Sequence, residues 1–295
     1  MKRSHIILSS VSRQILHKTG VVIWWTDVPR SLPLPTVLVG VDVYHAPRVY
    51  DPKSQRRFAR PSVAAIVIRV IRNHSTRTKM ECYSETFQRE PGNEFDLGGP
   101  IEQTLRHAMT YLQVPDPKSC ILWRDGVPDT AIANTARQEI QGIQKAMGPQ
   151  VPLAMIVCQK RIATKFFDDG GGGGNNNNST TTTRSGGAKG VPAGTLVQAC
   201  LDLDFPTYYI NGSAPPYATP KPVRFLVAHR DGALASTSLE ELTWNQMADY
   251  PNWSGTIKVP AACQLAHLLA EHAGNFDDSG ESTNHAAFAN HLYFL

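Results

Sequence analysis

The chain has 295 residues, enough for one large core and, by length alone, for one or two domains. Lys and Arg number 29 against 25 acids, a net charge of +4. This mildly basic balance admits a nucleic-acid partner without requiring one. Cys82, Cys120, Cys158, Cys200 and Cys263 form no Cys-x-x-Cys pair, so neither a zinc site nor a disulfide framework is indicated, and a reducing compartment is the simplest setting. No apolar run approaches the ~20 residues of a membrane helix.

Residues 1–20 carry Lys2, Arg3, Arg13 and Lys18, and the first acid is Asp27. Basic, serine-containing and acid-poor, this start has the composition of a mitochondrial transit peptide, one of two readings it allows. Val21 to Trp25 is expected to be a short strand, and Pro29 to Pro35 a connector too proline-rich for regular structure. Thr36 to His45, TVLVGVDVYH, is a short apolar run between prolines with one carboxylate, Asp42. Such a run predicts a strand buried on both faces, where an ionised acid needs a partner such as a metal ion; an Asp at the strand end capping the next turn is the other reading.

Arg48 to Pro61 reads as a basic loop, and Ser62 to Arg72 and Met80 to Gln88 as strands completing an antiparallel meander. Glu90 to Gly99 is expected to be flexible. Ile101, Leu105, Ala108, Met109 and Leu112 then share a helical face. Ser119 to Val127, SCILWRDGV, again leads apolar residues into an acid, Asp125. Two acids at the ends of neighbouring buried strands make a platform for Mg²⁺ or Mn²⁺, and two such ions can clamp an in-line phosphoryl displacement. Asp129 to Met147 predicts a helix with Asp129 as N-cap and Ile132, Ala136, Ile140, Ile143 and Met147 inward. Val151 to Cys158 is the next strand, followed by the basic segment QKRIATK at 159–165.

Residues 168–190, glycine then asparagine then threonine, form a low-complexity insert with too little apolar surface to fold. Thr195 to Leu201 and Val223 to His229 read as strands, and Ser238 to Tyr250 as a helix with Leu239, Leu242 and Met247 inward. Val259-Pro260 opens a last helix through His272, with Leu265, Leu268 and Leu269 on its apolar side. His267 lies on a different face from Leu265; a lone helix histidine is more often structural than a ligand.

GVDVYHAP, FQ with an acid a few residues on, WRDGV, QKR, VPAGT and NWSGTIKVPAACQLAH, in that order, resemble the PIWI domain of the Argonaute/Piwi superfamily. Tyr250 to His267 and the GVDVYH form resemble the Piwi branch. The resemblance runs from about Leu8 to Leu295. It implies an α/β, ribonuclease H-like PIWI fold, a mixed central sheet flanked by helices. Residues 1–35 would hold the tail of a MID domain and a connector, and 36–295 the PIWI domain. Ile6 to Gly20 is similar to the last MID helix, the second reading of the amino end.

The resemblance implies an RNA-guided endoribonuclease of small-RNA silencing that takes a guide RNA and a complementary target. Asp42, Asp125 and His267 would hold Mg²⁺ or Mn²⁺, and a mobile glutamate would complete the tetrad. Glu94 sits one residue late for that role and Glu90 three early; Gly98 and Gly99 depart from the family's helix there. Lys18, Lys160, Arg161, Lys165 and the Leu295 carboxylate would contact the guide near its 5′ end. Full members carry further N-terminal, PAZ and MID domains, so a separate MID/PAZ-bearing partner is one expectation. The location would be cytoplasmic or nuclear, with a mitochondrial one if the amino end is a transit peptide. A guide-binding module without cleavage is the alternative function, and a guide-independent ribonuclease H-like nuclease a third.

Overall fold

The computed structural model describes residues 2–45, 47, 49–58, 60–74, 81–89, 96–168, 189–198, 204–213, 220–276 and 291–295. In chain order these form α1 (Lys2–Lys18), β1 (Thr36–Tyr44), β2 (Val49–Asp51), β3 (Arg56–Phe58), β4 (Ser62–Ile71), β5 (Cys82–Arg89) and α2 (Gly98–Tyr111). They continue through β6 (Ser119–Asp125), α3 (Ile132–Met147), β7 (Leu153–Gln159), β8 (Phe167–Asp168), β9 (Lys189–Gly190), β10 (Leu196–Gln198) and β11 (Thr207–Ile210). The last elements are β12 (Val223–Arg230), α4 (Leu239–Ala248) and α5 (Ala261–Phe276). No described helix is long and apolar enough to cross a membrane.

Eight strands build one sheet in the order β10-β11-β12-β7-β6-β1-β4-β5. Its centre, β7-β6-β1, is parallel, and the strands on both flanks pair antiparallel. The central strands are continuous apolar runs because helices cover both faces. Alternation divides their side chains: Val37, Val39, Val41, Cys120, Leu122, Met155 and Val157 pack with Ile101 and Leu105 of α2 and Ile132 and Ile143 of α3. Leu38, Ile121, Trp123, Ala154, Ile156 and Cys158 point the other way, toward Leu239, Leu242 and Met247 of α4 and Cys263 of α5. Leu265, Ala266 and Leu269 of α5 meet Ala65 and Val67 of β4, and Leu292 and Phe294 close that edge.

Two glycines decide how near the helices come. A Cβ on Gly40 would lie 2.1 Å from the backbone of Ala262, so α5 lies against β1 where no side chain intervenes. A Cβ on Gly142 would lie 2.1 Å from the Gly98 carbonyl oxygen, and one on Gly98 2.6 Å from that of Gln138. Gly98 and Gly99, expected in a flexible stretch, are instead the first turn of α2, pressed against α3.

Other expectations are corrected. Val21 to Trp25 holds a single bridge at Val21 rather than a strand, and Val21, Ile23 and Trp25 remain largely exposed outside the sheet order. Within the expected basic loop, β2 pairs with β3 as a hairpin, turned with Gln55 in the left-handed region at φ 51°. Asp129 does not cap α3, whose N-cap is Ala131 without a side-chain bond; a 3₁₀ turn over Asp129–Ala131 intervenes. The Asp129 carboxylate instead accepts hydrogen bonds from Gln159 Nε2 at 2.6 Å and from Arg224, joining β7 and β12. Sequence reading overlooked β11, whose TYYI run is only four residues long. Most of the low-complexity insert, 169–188, lies outside the described residues; at its ends β8 pairs with β9.

Candidate active site at the sheet edge

Gly40 and Asp42 share a face of β1, two residues apart, as do Trp123 and Asp125 on β6. The parallel register pairs Val41 with Arg124, so Asp42 and Asp125 follow one step further, at the carboxyl ends of adjacent strands. Both are buried, and both fall on the α5 face. Because Gly40 admits α5 so closely, His267, little more than one turn beyond Ala262, reaches over the strand end. Its Nδ1 donates to Asp42 Oδ2 at 2.6 Å, while Asp42 Oδ1 accepts the Val43 amide at 2.8 Å.

The third neighbour is Lys160. Cys158 of β7 pairs with Asp125 and faces α5; Lys160, two residues on, keeps that side and sets its ammonium against Asp125 Oδ2. The contact is one of charge, since this buried oxygen accepts no well-directed hydrogen bond. On the opposite face, Arg124 pins the same strand end: its Nε meets Glu139 Oε1 at 2.9 Å and its guanidinium donates to the Asp125 carbonyl.

Electrostatics separates the two acids. Burial pushes Asp42 up, but the His267 hydrogen bond and charge, the Val43 amide and Lys160 together hold it below the ordinary carboxylate value. Burial pushes Asp125 up and Asp42 adds to this; Lys160 and His267 only partly oppose it. The hydrogen bond to Asp42 raises His267 above the ordinary imidazole value against its burial. Lys160, which burial would lower, is raised by Asp125. A site that drives two carboxylates apart in this way is typical of functional positions.

The sequence-predicted residues divide accordingly. Asp42, Asp125 and His267 come together; Glu90 and Glu94 lie outside the described residues. Lys160, expected at the guide backbone, sits within the acid site. Arg161 and Lys165 are exposed beyond it. Lys18 is half-exposed at the end of α1, and its carbonyl oxygen lies 3.3 Å from His291 Nδ1, so the chain's carboxyl end lies beside α1. Leu295 is half-buried next to the β4–α5 cluster. Sequence reading missed the Lys160–Asp125 contact and the Arg124–Glu139 pair. Alternation outward from Cys158 and from Leu122 gives the face each cation takes but not its partner, which the β6–β7 register and the packing of α3 supply.

Donor chemistry fits a hard divalent cation: two carboxylates, an imidazole, and one buried carboxylate oxygen lacking a hydrogen bond and facing a positive charge. Among the described residues, however, no three His, Cys, Asp or Glu side chains close into a ready metal cluster.

A mixed sheet with acids at the ends of adjacent parallel strands and helices on both faces defines a ribonuclease H-like α/β protein. The chain belongs to the Piwi domain family, whose model matches residues 1–278. It is 27% identical over 279 residues to Piwi-like protein Ago3 of Bombyx mori, covering 91% of this chain and 26% of that protein. It is 26% identical to Piwi-like protein 1 of Gallus gallus, covering 90% of this chain and 28% of that one. The chain thus spans little more than a quarter of these relatives.

Among solved structures, the crystal structure of Drosophila Piwi matches with a TM-score of 0.69 at 22% identity, over 98% of this chain and 36% of that one. The crystal structure of Kluyveromyces polysporus Argonaute with a guide RNA matches with a TM-score of 0.68 at 18% identity, over 97% and 36%. These likenesses establish the fold expected from the sequence.

Proposed function

We propose that the chain is the cleavage unit of an RNA-guided endoribonuclease, hydrolysing a phosphodiester of a target RNA paired to a small guide. The carrying observation is the convergence of Asp42, Asp125 and His267, with both acids at register-matched strand ends and the imidazole 2.6 Å from one of them. The Piwi-like relatives and the guide-bound Argonaute support the choice of substrate by kinship.

Asp42, Asp125 and His267 would hold Mg²⁺ or Mn²⁺, and Glu94, or Glu90, would complete the set. When bound, such ions lower the pKa of water and stabilise the departing oxygen. The chain's own contribution is placement. The close α5–β1 seam sets His267 over Asp42, the Val43 amide fixes the other Asp42 oxygen, and Arg124 holds the end of β6. Arg161 and Lys165, exposed past β7, would meet the nucleic-acid backbone, and Lys18 with the Leu295 carboxylate the 5′ end of the guide. Guide ends would be anchored by MID and PAZ units, in a separate partner or in the same polypeptide.

Incubation with a guide and a labelled complementary RNA in Mg²⁺ is expected to give one cut, lost in Asp125→Ala. Equal cutting by that variant would overturn the proposal. One observation favours the second reading, a guide-binding module without cleavage: the Asp125 carboxylate faces an ammonium. Normal RNA binding with no cut in any divalent ion would establish it. If cutting occurs, Glu94→Gln and Glu90→Gln identify the fourth member by which of them abolishes it.

A further inference from the structure

Among the described residues, Lys160–Asp125 is built unlike the two buried guanidinium–carboxylate pairs of the central sheet. Arg69 reaches Asp249 at 2.9 Å and Arg124 reaches Glu139 at 2.9 Å, each through a directed guanidinium hydrogen bond. Lys160 offers a point charge on a flexible stem, and the Asp125 oxygen it touches accepts no well-directed hydrogen bond. Its side chain is 30% exposed, so the ammonium can move into water while the stem stays packed. Lys160 also lies within electrostatic range of Asp42 and His267. It is therefore a positive charge set among all three residues to which the proposed function assigns the divalent ion.

We propose that the Lys160 ammonium is a resident counter-cation of the acid site, which a divalent ion must displace from Asp125 in order to bind. The inference rests on the metal-binding reading of the site given above. Its physical basis is charge. Without a divalent ion, Asp42 and Asp125 repel each other in a partly desolvated place, and one positive charge offsets that repulsion. A dication on the same Asp125 oxygen would meet the ammonium as a like charge, so both do not occupy it together. Lysine suits such a role better than arginine, whose fork would clamp the carboxylate. Lys160 would thereby keep the acids in place before loading and set a threshold for the ion.

Direct titration of the full chain with Mn²⁺, without RNA and followed by calorimetry, tests this. Removal of one nearby charge, on the scale of one pKa unit, predicts that Lys160→Met binds Mn²⁺ about tenfold more tightly than the wild type. Lys160→Arg, which keeps a charge there, should bind no more tightly than the wild type. Wild-type binding with equal or weaker binding by Lys160→Met would overturn the displacement and leave the metal site standing. No binding by either protein would overturn both readings.

Should Lys160→Met fail to fold, the wild type itself carries the test through acylation of its lysines, quantified by mass spectrometry. Reaction at Lys160 should be slow in chelator and should accelerate as Mg²⁺ is added, while that at Lys165 stays constant. A Lys160 rate unchanged at saturating Mg²⁺ would refute displacement.

Discussion

The junction of β4 with α4 and the edge where β1, β6 and β7 end both bury a carboxylate beside a cation, and they finish the pairing differently. At the junction, Arg69 Nη2 meets Asp249 Oδ2 at 2.9 Å and Nη1 lies 3.4 Å from Gln246 Oε1, with both charged side chains almost fully enclosed. At the edge, Asp125 is as deeply buried, yet one oxygen lacks a directed hydrogen bond and its cation is partly exposed to solvent. A closed pair locks two elements together. An open pair leaves a buried carboxylate under-satisfied, which is unfavourable for the fold and useful for a site that must accept another cation.

The largest expected effect breaks the closed pair. Asp249→Ala would remove the carboxylate that balances the Arg69 guanidinium in the core, and removing one partner of a buried pair costs about 3–5 kcal/mol. Denaturant unfolding in chelator should show that loss. Asp125→Asn is expected to act in the opposite direction. A carboxyl whose folded pKa is raised loses stability as pH rises through its unfolded value, and asparagine escapes that loss. Because Lys160 can turn to water, a gain in stability at neutral pH is expected. If Asp125→Asn unfolded as easily as Asp249→Ala, the distinction between the two regions would collapse.

How much of this was legible in the sequence follows from the range of each interaction. Asp42 and Asp125 stood out because each ends an apolar run, and burial of those runs is local information. The helices around Leu105, Ile143 and Leu242 were legible for the same reason: their apolar spacing matches a helical period. His267 needed the family resemblance, since nothing in the helix says that Gly40 lets it approach β1. Lys160 read as a surface base because its partner lies on another strand, and only the β6–β7 register brings them together. Asp129 looked like a cap by position, but Gln159 and Arg224 compete for its carboxylate from strands distant in sequence. Gly98 and Gly99 suggested flexibility until Gly142 supplied the surface they press against.

The smallest effect sharpens the comparison through pH. His267 and Asp42 shift in opposite directions, so their bond has a defined window. The imidazole's folded pKa is raised, so its contribution is complete below the unfolded value near 6.5 and is lost as pH rises through the raised value. Asp42 is lowered, so its contribution is complete above its unfolded value near 3.8 and is lost as pH falls through the lowered one. Between those limits the bond is intact as an ion pair, and above the upper one it persists only as a neutral hydrogen bond. His267→Gln keeps a donor and removes the charge. Melting wild type and variant in chelator from about pH 5 to about pH 9 should show their difference largest at the acid end and shrinking toward the alkaline end. The His267 imidazole is partly exposed, so the difference should be modest and should diminish with added salt. Asp249→Ala removes a charge that raises the buried His17 imidazole, so its deficit should also grow toward the acid end. A His267→Gln deficit that grew with pH would mean that the imidazole is held neutral, and that His267 does not charge-stabilise Asp42 before the ion arrives.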